Sequence, residues 1–565
     1  MRKADLPGRD VLRRAVGGQR RDVALGAVLG MGHQTGEALV PLVIGLAIER
    51  GVVDGDAAGL LLWLCVLAVV YVGLSFSFRF SARAGERASV TAAHHLRTAL
   101  VERVLAPEGG AAEGRLPGEL ANTATEDAKR VGAVAMALIV GIAASTGLVV
   151  GAVVLLRMSV PLGLLVLLGT PLLLWLGHLL SKPLERRSET EQERAAHASG
   201  VAADLVAGLR VLKGIGAEPA AVARYRRISQ DSLTATLRAA RAEAWQNGVV
   251  TMLTGAFLAL VALVGGRLAA RGDISLGELV SAVALALFLI GPLSEFSWVN
   301  AELAQGRASA ARIAEILGAG RAVTAKVSGG ALGRVEGRLR LRGLSYGPLR
   351  EVDLDIAPGE TVGVVTTDPA DAVALLQLLA RHADPDEGAV ELDGTDLTAL
   401  GLAELRAALL VAEHDADLFE GSVLDNVTAS AGPDAPVAAA ITASGTDEVV
   451  GTLPDGADTA VTARGRSLSG GQRQRVALAR ALAADTPVLV LHEPATAVDA
   501  VTEVRMAAGL RGLRGGRTTV LVTNSPALLA VTDRVVLLDR GSVVAADAHD
   551  RLVHQHGAYR TAVLA

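Results

Sequence analysis

The sequence predicts a membrane protein of two parts, an all-α domain of six transmembrane helices followed by a soluble α/β domain. Of the 565 residues, 51% are hydrophobic, and the mean hydropathy of +0.41 is rarely reached by a soluble enzyme. From about residue 335 the long apolar stretches give way to alternating strand and helix patterns. We therefore predict a membrane domain over 1–320, a linker over 321–334 and an α/β domain over 335–565.

Six apolar stretches reach or approach the length that crosses a bilayer. They are 23–48, 60–80, 131–156, 160–180, 249–266 and 279–298. The connections after the second and fourth stretches are long and rich in arginine, which predicts that they and both termini lie in the cytoplasm of a bacterial cell. Their periodicity predicts helices that continue out of the membrane and break near 113–120 and 211–219.

Charge and cysteine content give no indication of a nucleic acid-binding protein or of a protein stabilised by disulfides. The net charge of -5 gives no reason to expect a nucleic acid partner. The single cysteine, Cys65, allows no disulfide within the chain.

The most specific motif is RGRSLSGGQRQRVALARALAADTPVLVLHEPATAVDA, residues 464–500. Its LSGGQ segment opens a predicted helix, which presents backbone N–H groups, a serine hydroxyl and the positive end of the helix dipole to an anion. An apolar strand, PVLVLHEP, follows at about twenty residues and ends in an acidic group. This arrangement predicts a site for an anionic ligand.

With these motifs, nearly the whole chain resembles a half-transporter of the ABC superfamily, of the exporter type. GELANTATEDAKRV and AGLRVLKGIGAE resemble the cytoplasmic loops of that family, LVAEHDADLFEGSVLDNV its Q-loop region and DRVVLLDRGSVV its last strands. The resemblance implies a six-span membrane domain fused to a nucleotide-binding domain that resembles a P-loop fold. It also implies ATP and Mg²⁺ as cofactors.

The phosphate loop departs from the family pattern. In GETVGVVTTDPADAVALLQLL, residues 359–379, Pro369 has no N–H to offer a phosphate, Ala372 has no positive charge, and Val373 cannot bind Mg²⁺. Asp368 and Asp371 would repel a phosphate. The substituted family positions are Thr366, Pro369 and Asp371 for glycines, Ala372 for lysine, and Val373 and Ala374 for serine or threonine. Tight ATP binding by this loop is therefore not expected.

Three further substitutions fall on the same half-site by resemblance. His492 replaces the aspartate that holds Mg²⁺, Glu413 replaces the Q-loop glutamine, and Asn524 replaces the switch histidine. Glu493 keeps the general-base position, where it is expected to be idle. No second histidine or cysteine stands at ligand spacing from His492, so we predict no metal site of this chain's own.

The signature motif, in contrast, is intact at Ser469, Gly470, Gly471 and Gln472, and so is the D-loop Asp499. In the family two nucleotide-binding domains pair head to tail, and the signature of one covers ATP held by the other. The resemblance therefore implies the degenerate subunit of a heterodimer, with an ABC half-transporter of intact Walker motifs as its partner. ATP and Mg²⁺ would lie at the partner's site, and ATPase activity would belong to the pair.

Two interpretations stay open for Tyr346 and for a polar group in the first span. Tyr346 either stacks on adenine in the degenerate site or is a solvent-facing strand residue. His33, Gln34 and Glu37, in the first span, either line a substrate path or support helix packing. Glu295, at the end of the sixth span, is expected at the cytoplasmic edge of the membrane.

The function implied by the resemblance is ATP-driven export of amphipathic small molecules or peptides, by a protein embedded in membrane lipid. Two alternatives stay open. One is a subunit of a siderophore importer with the same membrane fold. The other is a regulatory pseudo-ATPase that does not hydrolyse ATP.

Overall fold

The computed structural model describes residues 7–323, 333–414 and 417–564, apart from the side chains of residue 180 and residues 182–185. The chain forms two compact units. The first consists of Met1–Glu102 and Arg115–Gly318, the second of Arg103–Gly114 and Ala319–Ala565. The second unit thus includes a segment that lies inside the first predicted domain. Most of the predicted linker falls on residues 324–332, which are outside the described residues.

The first unit is built from long helices. At 1.5 Å per residue the longest span roughly 70–80 Å, far more than a bilayer core, so they extend beyond the membrane. This confirms the prediction that the long connections continue the membrane helices. The helices are α1 Gly8–Gly17, α2 Arg20–Ile48, α3 Ala57–Val104, α4 Pro117–Asn122, α5 Ala128–Met158, α6 Val160–Ala207, α7 Leu209–Gly214, α8 Glu218–Ala270 and α9 Leu276–Leu317.

Five of the six predicted spans lie in helices that are long and apolar enough to cross a membrane. They are the spans in α3, α5, α6, α8 and α9. The first span forms as the 29-residue helix α2 but falls short in hydropathy. The physical reason is the polar group in its middle, HQTGE at 33–37, which interrupts the apolar run.

Small residues let the helices of this unit approach closely. A Cβ atom added to Gly45 would lie 1.9 Å from Ser281 Oγ, and one added to Gly277 would lie 2.3 Å from the Gly45 carbonyl oxygen. Ser281 Oγ also donates to the Pro41 carbonyl at 2.9 Å. Where lipid supplies no hydrophobic force between helices, such close packing and interhelical hydrogen bonds hold α2 against α9.

The second unit is an α/β domain, and its described residues form three sheets. The largest sheet has the order β12-β11-β3-β10-β9-β6 and is parallel except for β12. A four-stranded antiparallel sheet has the order β2-β1-β4-β5. The strands are β1 Leu339–Tyr346, β2 Leu349–Ile356, β3 Thr361–Thr366, β4 Glu387–Leu392, β5 Thr395–Asp396, β6 Leu409–Ala412, β7 Gly421–Ser422, β8 Ala460–Val461, β9 Val488–His492, β10 Thr518–Val522, β11 Arg534–Asp539 and β12 Ser542–Asp547. The third sheet pairs β7 with β8.

The helices of the second unit cover these sheets, and the parallel strands β3, β9 and β10 are buried on both faces. The helices are α10 Pro369–Leu379, α11 Leu402–Ala408, α12 Val423–Thr428, α13 Val437–Ala443, α14 Thr446–Thr452, α15 Gly470–Ala483, α16 Ala500–Leu513, α17 Pro526–Leu529, α18 His549–Gln555 and α19 Gly557–Leu564. A helical membrane domain followed by an α/β domain is the predicted fold class.

A buried arginine ties the strands β9 and β10 together where they begin. Arg514 is 3% exposed, and its guanidinium donates to the carbonyl oxygens of Thr486 at 2.7 Å, Thr518 at 3.0 Å and Pro487 at 3.2 Å. Burial lowers the pKa of Arg514 to about 10, so the side chain remains charged at neutral pH. These hydrogen bonds satisfy carbonyl groups that would otherwise be buried without donors.

We expect Arg514→Met to lower the thermal unfolding midpoint of the second unit by roughly 5–10 °C. The change leaves several buried carbonyl groups without a hydrogen-bond donor, which lowers the free energy of unfolding by about 3 kcal/mol. Differential scanning fluorimetry of the detergent-purified chain measures the shift. Arg560→Met, at an exposed position, is the matched control and should change little. Equal midpoints for the two variants would contradict the assigned role.

Candidate functional site

The connection between β3 and α10 is where a phosphate loop is expected, and it is only two residues long. Strand β3 ends at Thr366 and helix α10 begins at Pro369. The Asp368 carboxylate accepts a hydrogen bond from the Ala370 N–H at 2.8 Å and so caps the helix. Thr367 Oγ1 donates to the Asp539 carboxylate at 2.6 Å. The helix N-terminus that would hold a phosphate therefore carries an anion from this chain itself.

The side chains that replace the lysine and the last glycine are packed away from any ligand. Ala372 is 4% exposed, within the core against β3. Asp371 is 1% exposed and its Oδ2 accepts from the Gly541 N–H at 3.0 Å. The Asp371 carboxylate is thus paired inside the domain, and its repulsion of a phosphate stays a prediction. Asp368 caps α10, and Asp371 lies in the first turn of the same helix.

The carboxylate of Glu493 is held by neighbouring groups. Its Oε2 accepts from Thr523 Oγ1 at 2.9 Å, and its Oε1 accepts from the Asn524 N–H at 3.1 Å. The residue adopts a φ of 44°, a left-handed conformation uncommon for residues other than glycine. Both oxygens therefore already have donors. This arrangement is compatible with an idle general base, which remains a prediction.

His492 ends β9 beside a second histidine that the sequence did not single out. The rings of His492 and His414 lie 6.0 Å apart, and His414 Nδ1 is 3.4 Å from the Glu493 carbonyl oxygen. Burial lowers the pKa of His492 below its usual range, so its imidazole is neutral at pH 7. Glu413, in contrast, is exposed and lies 3.9 Å from His382. His414 follows Glu413 directly, but only the strand order brings it to His492.

These residues line a cavity of about 360 Å³ between the end of β9 and helix α15. Neutral imidazole is a poor ligand for Mg²⁺, which prefers carboxylate and water oxygens. No group of three or more histidine, cysteine or acidic side chains suited to a metal ion occurs in the part of the chain that the structure describes. The carboxylates that line the cavity, Glu413, Asp417 and Glu493, thus do not form such a group among the described residues.

Helix α15 begins at the signature motif, and Ser469 caps it. Ser469 Oγ accepts from the Gln472 N–H at 3.3 Å, while Gln472 Oε1 accepts from the Ser469 N–H at 2.8 Å. Ser469 and Gly470 are exposed. A Cβ atom on Gly471 would lie 2.6 Å from the Ala497 carbonyl oxygen, so only glycine fits there. The N-terminus of this helix is exposed, and its first turn carries no acidic group.

Asp499 lies at the start of α16 and is exposed. Its carboxylate accepts from the N–H groups of Val501 at 3.1 Å and Thr502 at 3.0 Å, and from Thr502 Oγ1 at 2.8 Å. The hydrogen bonds from Thr502 hold the pKa of Asp499 below its usual range. The side chain is therefore charged at neutral pH and held in one orientation at the surface.

Tyr346 ends β1 and is half-buried against the domain core. It lines a cavity of about 580 Å³ together with Gln377, Arg381 and residues from 104–113. That segment is held within the second unit, where the Ala322 N–H donates to the Glu108 carbonyl at 3.0 Å. The ring is accessible from a cavity, so both interpretations of Tyr346 remain predictions.

The three polar residues of the first span are only partly paired. His33 Nε2 lies 3.7 Å from the Glu37 carboxylate, and His33 Nδ1 lies 3.2 Å from the Leu74 carbonyl oxygen. Gln34 is 5% exposed, and its Oε1 has no hydrogen-bond partner among the described residues. The same holds for Glu295 Oε2, which is buried and has Glu37 and His33 as electrostatic neighbours. Glu295 therefore lies near the polar group of the first span, and its place at the membrane edge stays a prediction.

Known proteins resemble this chain along its whole length. Residues 23–293 match the family described as the ABC transporter transmembrane region, and residues 349–496 match the ABC transporter domain. An ATP-dependent lipid A-core flippase of Thiobacillus denitrificans is 32% identical over 409 residues, which cover 70% of each protein.

The chain belongs to the ABC transporter family. It is accordingly a multi-pass membrane protein, and its second unit is the domain with which such transporters use ATP and Mg²⁺. A solved bacterial Atm1-family ABC exporter with ATP bound has the same fold, with a TM-score of 0.73, 23% identity and coverage of 98% of both chains. The exporter-type fold is thus confirmed, whereas the cytoplasmic location of the termini stays a prediction.

A second relative is much longer than this transporter chain. A multidrug efflux ATP-binding/permease protein of Mycobacterium bovis is 32% identical over 553 residues, which cover 96% of this chain but 46% of that protein. The chain therefore spans about half the length of this relative.

The residues of this ABC transporter's own phosphate loop do not fit a nucleotide. A fitting loop needs free backbone N–H groups at the helix start, a lysine and an Mg²⁺ ligand. Here Asp368 caps the helix start, Ala372 is buried, and His492 is neutral. No step of ATP chemistry is assigned to this loop.

We expect the purified chain to show no saturable binding of a fluorescent ATP analogue, and Ala372→Lys not to restore it. A lysine at this buried position leaves the Asp368 cap and the short loop in place. Fluorescence titration measures the binding. Its positive control is the combined variant Thr366→Gly, Asp368→Ser, Pro369→Gly, Asp371→Gly, Ala372→Lys, Val373→Ser and His492→Asp. Tight binding by Ala372→Lys alone would contradict this account of the loop.

We expect Gly471→Ala to destabilise the second unit by about 1–3 kcal/mol, because its Cβ would collide with the Ala497 carbonyl. Gly470→Ala is the matched control, since a Cβ there would be 3.6 Å from Ala497 Cβ, an ordinary contact. Thermal unfolding of both variants gives the comparison. Equal midpoints would show that α15 moves freely against Ala497.

Proposed function

We propose that the chain is the degenerate subunit of a heterodimeric ABC exporter. One observation carries this proposal. The helix at the phosphate loop is capped by a carboxylate of this chain, whereas the helix at the signature is capped by the neutral Ser469 and exposed. A capped, negatively charged helix start repels a phosphate, and a neutral, exposed start attracts one. The chain thus keeps the signature, which would act on the partner's ATP, and lacks a phosphate loop that would hold ATP of its own.

In this proposal the groups at the signature act on ATP held by the partner. Ser469, with the N–H groups of Gly470 and Gly471, would bind and orient the terminal phosphate, and Gln472 holds Ser469 in place. Asp499 would contact the partner's phosphate loop. ATP and Mg²⁺ would be bound by the partner, which supplies the lysine, the Mg²⁺ ligand and a working general base.

The length of the mycobacterial relative supports a pair. This chain aligns with 46% of that protein, which leaves room there for a second unit of similar size. A transporter whose halves are separate chains would need a second polypeptide instead. The relatives, a multidrug efflux protein and a lipid A-core flippase, favour an amphipathic substrate and outward transport. We therefore propose export of amphipathic small molecules, lipids or peptides.

The intact signature also bears on the regulatory alternative. A pseudo-ATPase that only regulates a transporter needs neither an exposed, neutral helix start at 469–471 nor a rigidly held Asp499. No observation favours import. We propose export as the function and the lent signature as its mechanism.

The test is the ATPase activity of the chain alone and of its complex with the half-transporter that co-purifies with it from native membranes. We expect turnover only in the complex, because the chain's own loop does not fit ATP. Robust turnover by the chain alone would overturn the proposal. A complex of two copies of this chain with ATPase activity would do the same.

A charge change at Ser469 tests the signature itself. We expect Ser469→Asp to reduce the ATPase activity of the complex at least about a hundredfold, since its charge would repel the partner's phosphate. Ser469→Asn is the matched control, because asparagine and aspartate cap a helix equally well. It should retain far more activity than Ser469→Asp and unfold at the same temperature. Similar activities for both variants would remove the phosphate contact from the mechanism.

A further inference from the structure

A polar group lies inside the membrane unit, where three helices meet. Gln34 of α2 faces α5, since a Cβ atom on Gly147 would lie 2.6 Å from Gln34 Oε1. The same atom would lie 3.2 Å from the ring of Phe288, on α9. Glu295 follows Phe288 by seven residues, two helical turns, and so lies on the same face of α9. Helices α2, α5 and α9 thus enclose Gln34 and lead to Glu295.

Two oxygen atoms in this group have no hydrogen-bond donor. Gln34 is only 5% exposed. Among the described residues, neither its Oε1 nor the buried Oε2 of Glu295 has a hydrogen-bond partner. An unsatisfied buried acceptor costs about 1–3 kcal/mol, and more when it is charged. Native proteins rarely retain such atoms without a partner that supplies a donor. An amide oxygen is an acceptor only, and so is an ionised carboxylate, so a ligand that pairs with both atoms carries N–H or O–H groups.

The charge of the group selects among such partners. Glu295 and Glu37 are two carboxylates, and the one basic side chain among the electrostatic neighbours of Glu295 is His33. His33 lies 3.7 Å from Glu37, and its ring is 5.1 Å from that of Phe78. With both carboxylates ionised the group has an excess of negative charge, and the ring of Phe288 lies near Gln34. Ionisable residues inside a membrane domain commonly mark a ligand path.

The geometry points to a binding site for an amphipathic organic cation with N–H donors, such as a protonated primary amine. The ammonium donates to Gln34 Oε1 and Glu295 Oε2, and its charge is balanced by Glu295 and Glu37. The aromatic rings of Phe288 and Phe78 contact its apolar body. This inference rests on the proposed export function, because it names the substrate class of that transporter.

Three probes with one fluorophore separate charge from hydrogen bonding. They are dansylcadaverine, which is a primary ammonium, its trimethylammonium analogue, which has the charge but no N–H on it, and its N-acetyl derivative, which is neutral. The full chain in lipid nanodiscs is titrated with each probe without ATP. We expect dansylcadaverine to bind most tightly, the trimethylammonium analogue more weakly and the N-acetyl derivative most weakly. Equal affinities for the three probes, or no binding of dansylcadaverine up to its solubility limit, would overturn the assignment.

Variants test the named oxygens. We expect Glu295→Gln to weaken dansylcadaverine binding by about tenfold, and Gln34→Leu to abolish the preference for the ammonium over its trimethylammonium analogue. Glu302→Gln, on the same helix, is the matched control and should bind as the wild type does. A role in helix packing alone would change the unfolding temperature and leave the order of the three probes unchanged. Unchanged affinity in both variants would contradict the site.

The result is separable from that of the proposed function. Binding is measured without nucleotide or partner, so a lack of ATPase activity in the heterodimer leaves it untouched. If the complex hydrolyses ATP normally while the probes fail to distinguish the variants, the export proposal stands and the substrate class falls. If the probes bind as expected and the complex is inactive, the substrate class stands and the export proposal falls.

Discussion

Every helix that begins after a strand has backbone N–H groups that need an acceptor, and how this need is met determines the chemistry of the second unit. At α10 the acceptor is the Asp368 carboxylate, at α15 the neutral Ser469 hydroxyl, and at α16 the Asp499 carboxylate. A charged cap uses the positive end of the helix dipole within the chain. A neutral cap on an exposed helix start leaves that end available to an anion from outside. The asymmetry of this subunit follows from which cap occupies which helix.

Rigid packing then positions the available helix. Gly471 lets α15 contact the backbone at Ala497, and Gln474 joins the two segments by accepting from the Ala497 N–H at 2.7 Å. Further back, Arg514 holds the starts of β9 and β10, the strands that carry His492 and lead to Asn524. The domain therefore keeps its frame although its phosphate loop departs from the family pattern. Such rigid packing is needed only if a surface of the domain must be held in a fixed position for a partner.

The membrane unit follows a different constraint. Without water between the helices, contact depends on small residues and on hydrogen bonds to carbonyl groups, as at Gly45 and Ser281. Where α2 carries larger polar residues instead, the helices enclose them and leave acceptors without donors at Gln34 and Glu295. The same polar stretch lowers the hydropathy of α2. A defect in an ideal membrane span and a ligand site are thus one feature.

The sequence by itself determined the two-part fold, the long helices and the identity of the altered loop, because these depend on local periodicity, length and motif spacing. It also singled out Ser469, Gly471 and Asp499, which lie at helix starts. Only the tertiary structure decided where side chains point. It turned Asp371 inward to Gly541, brought His414 beside His492, and placed Glu295 near His33. These contacts join residues far apart in the chain, and strand order and helix packing, which a single sequence does not encode locally, set the distances between them.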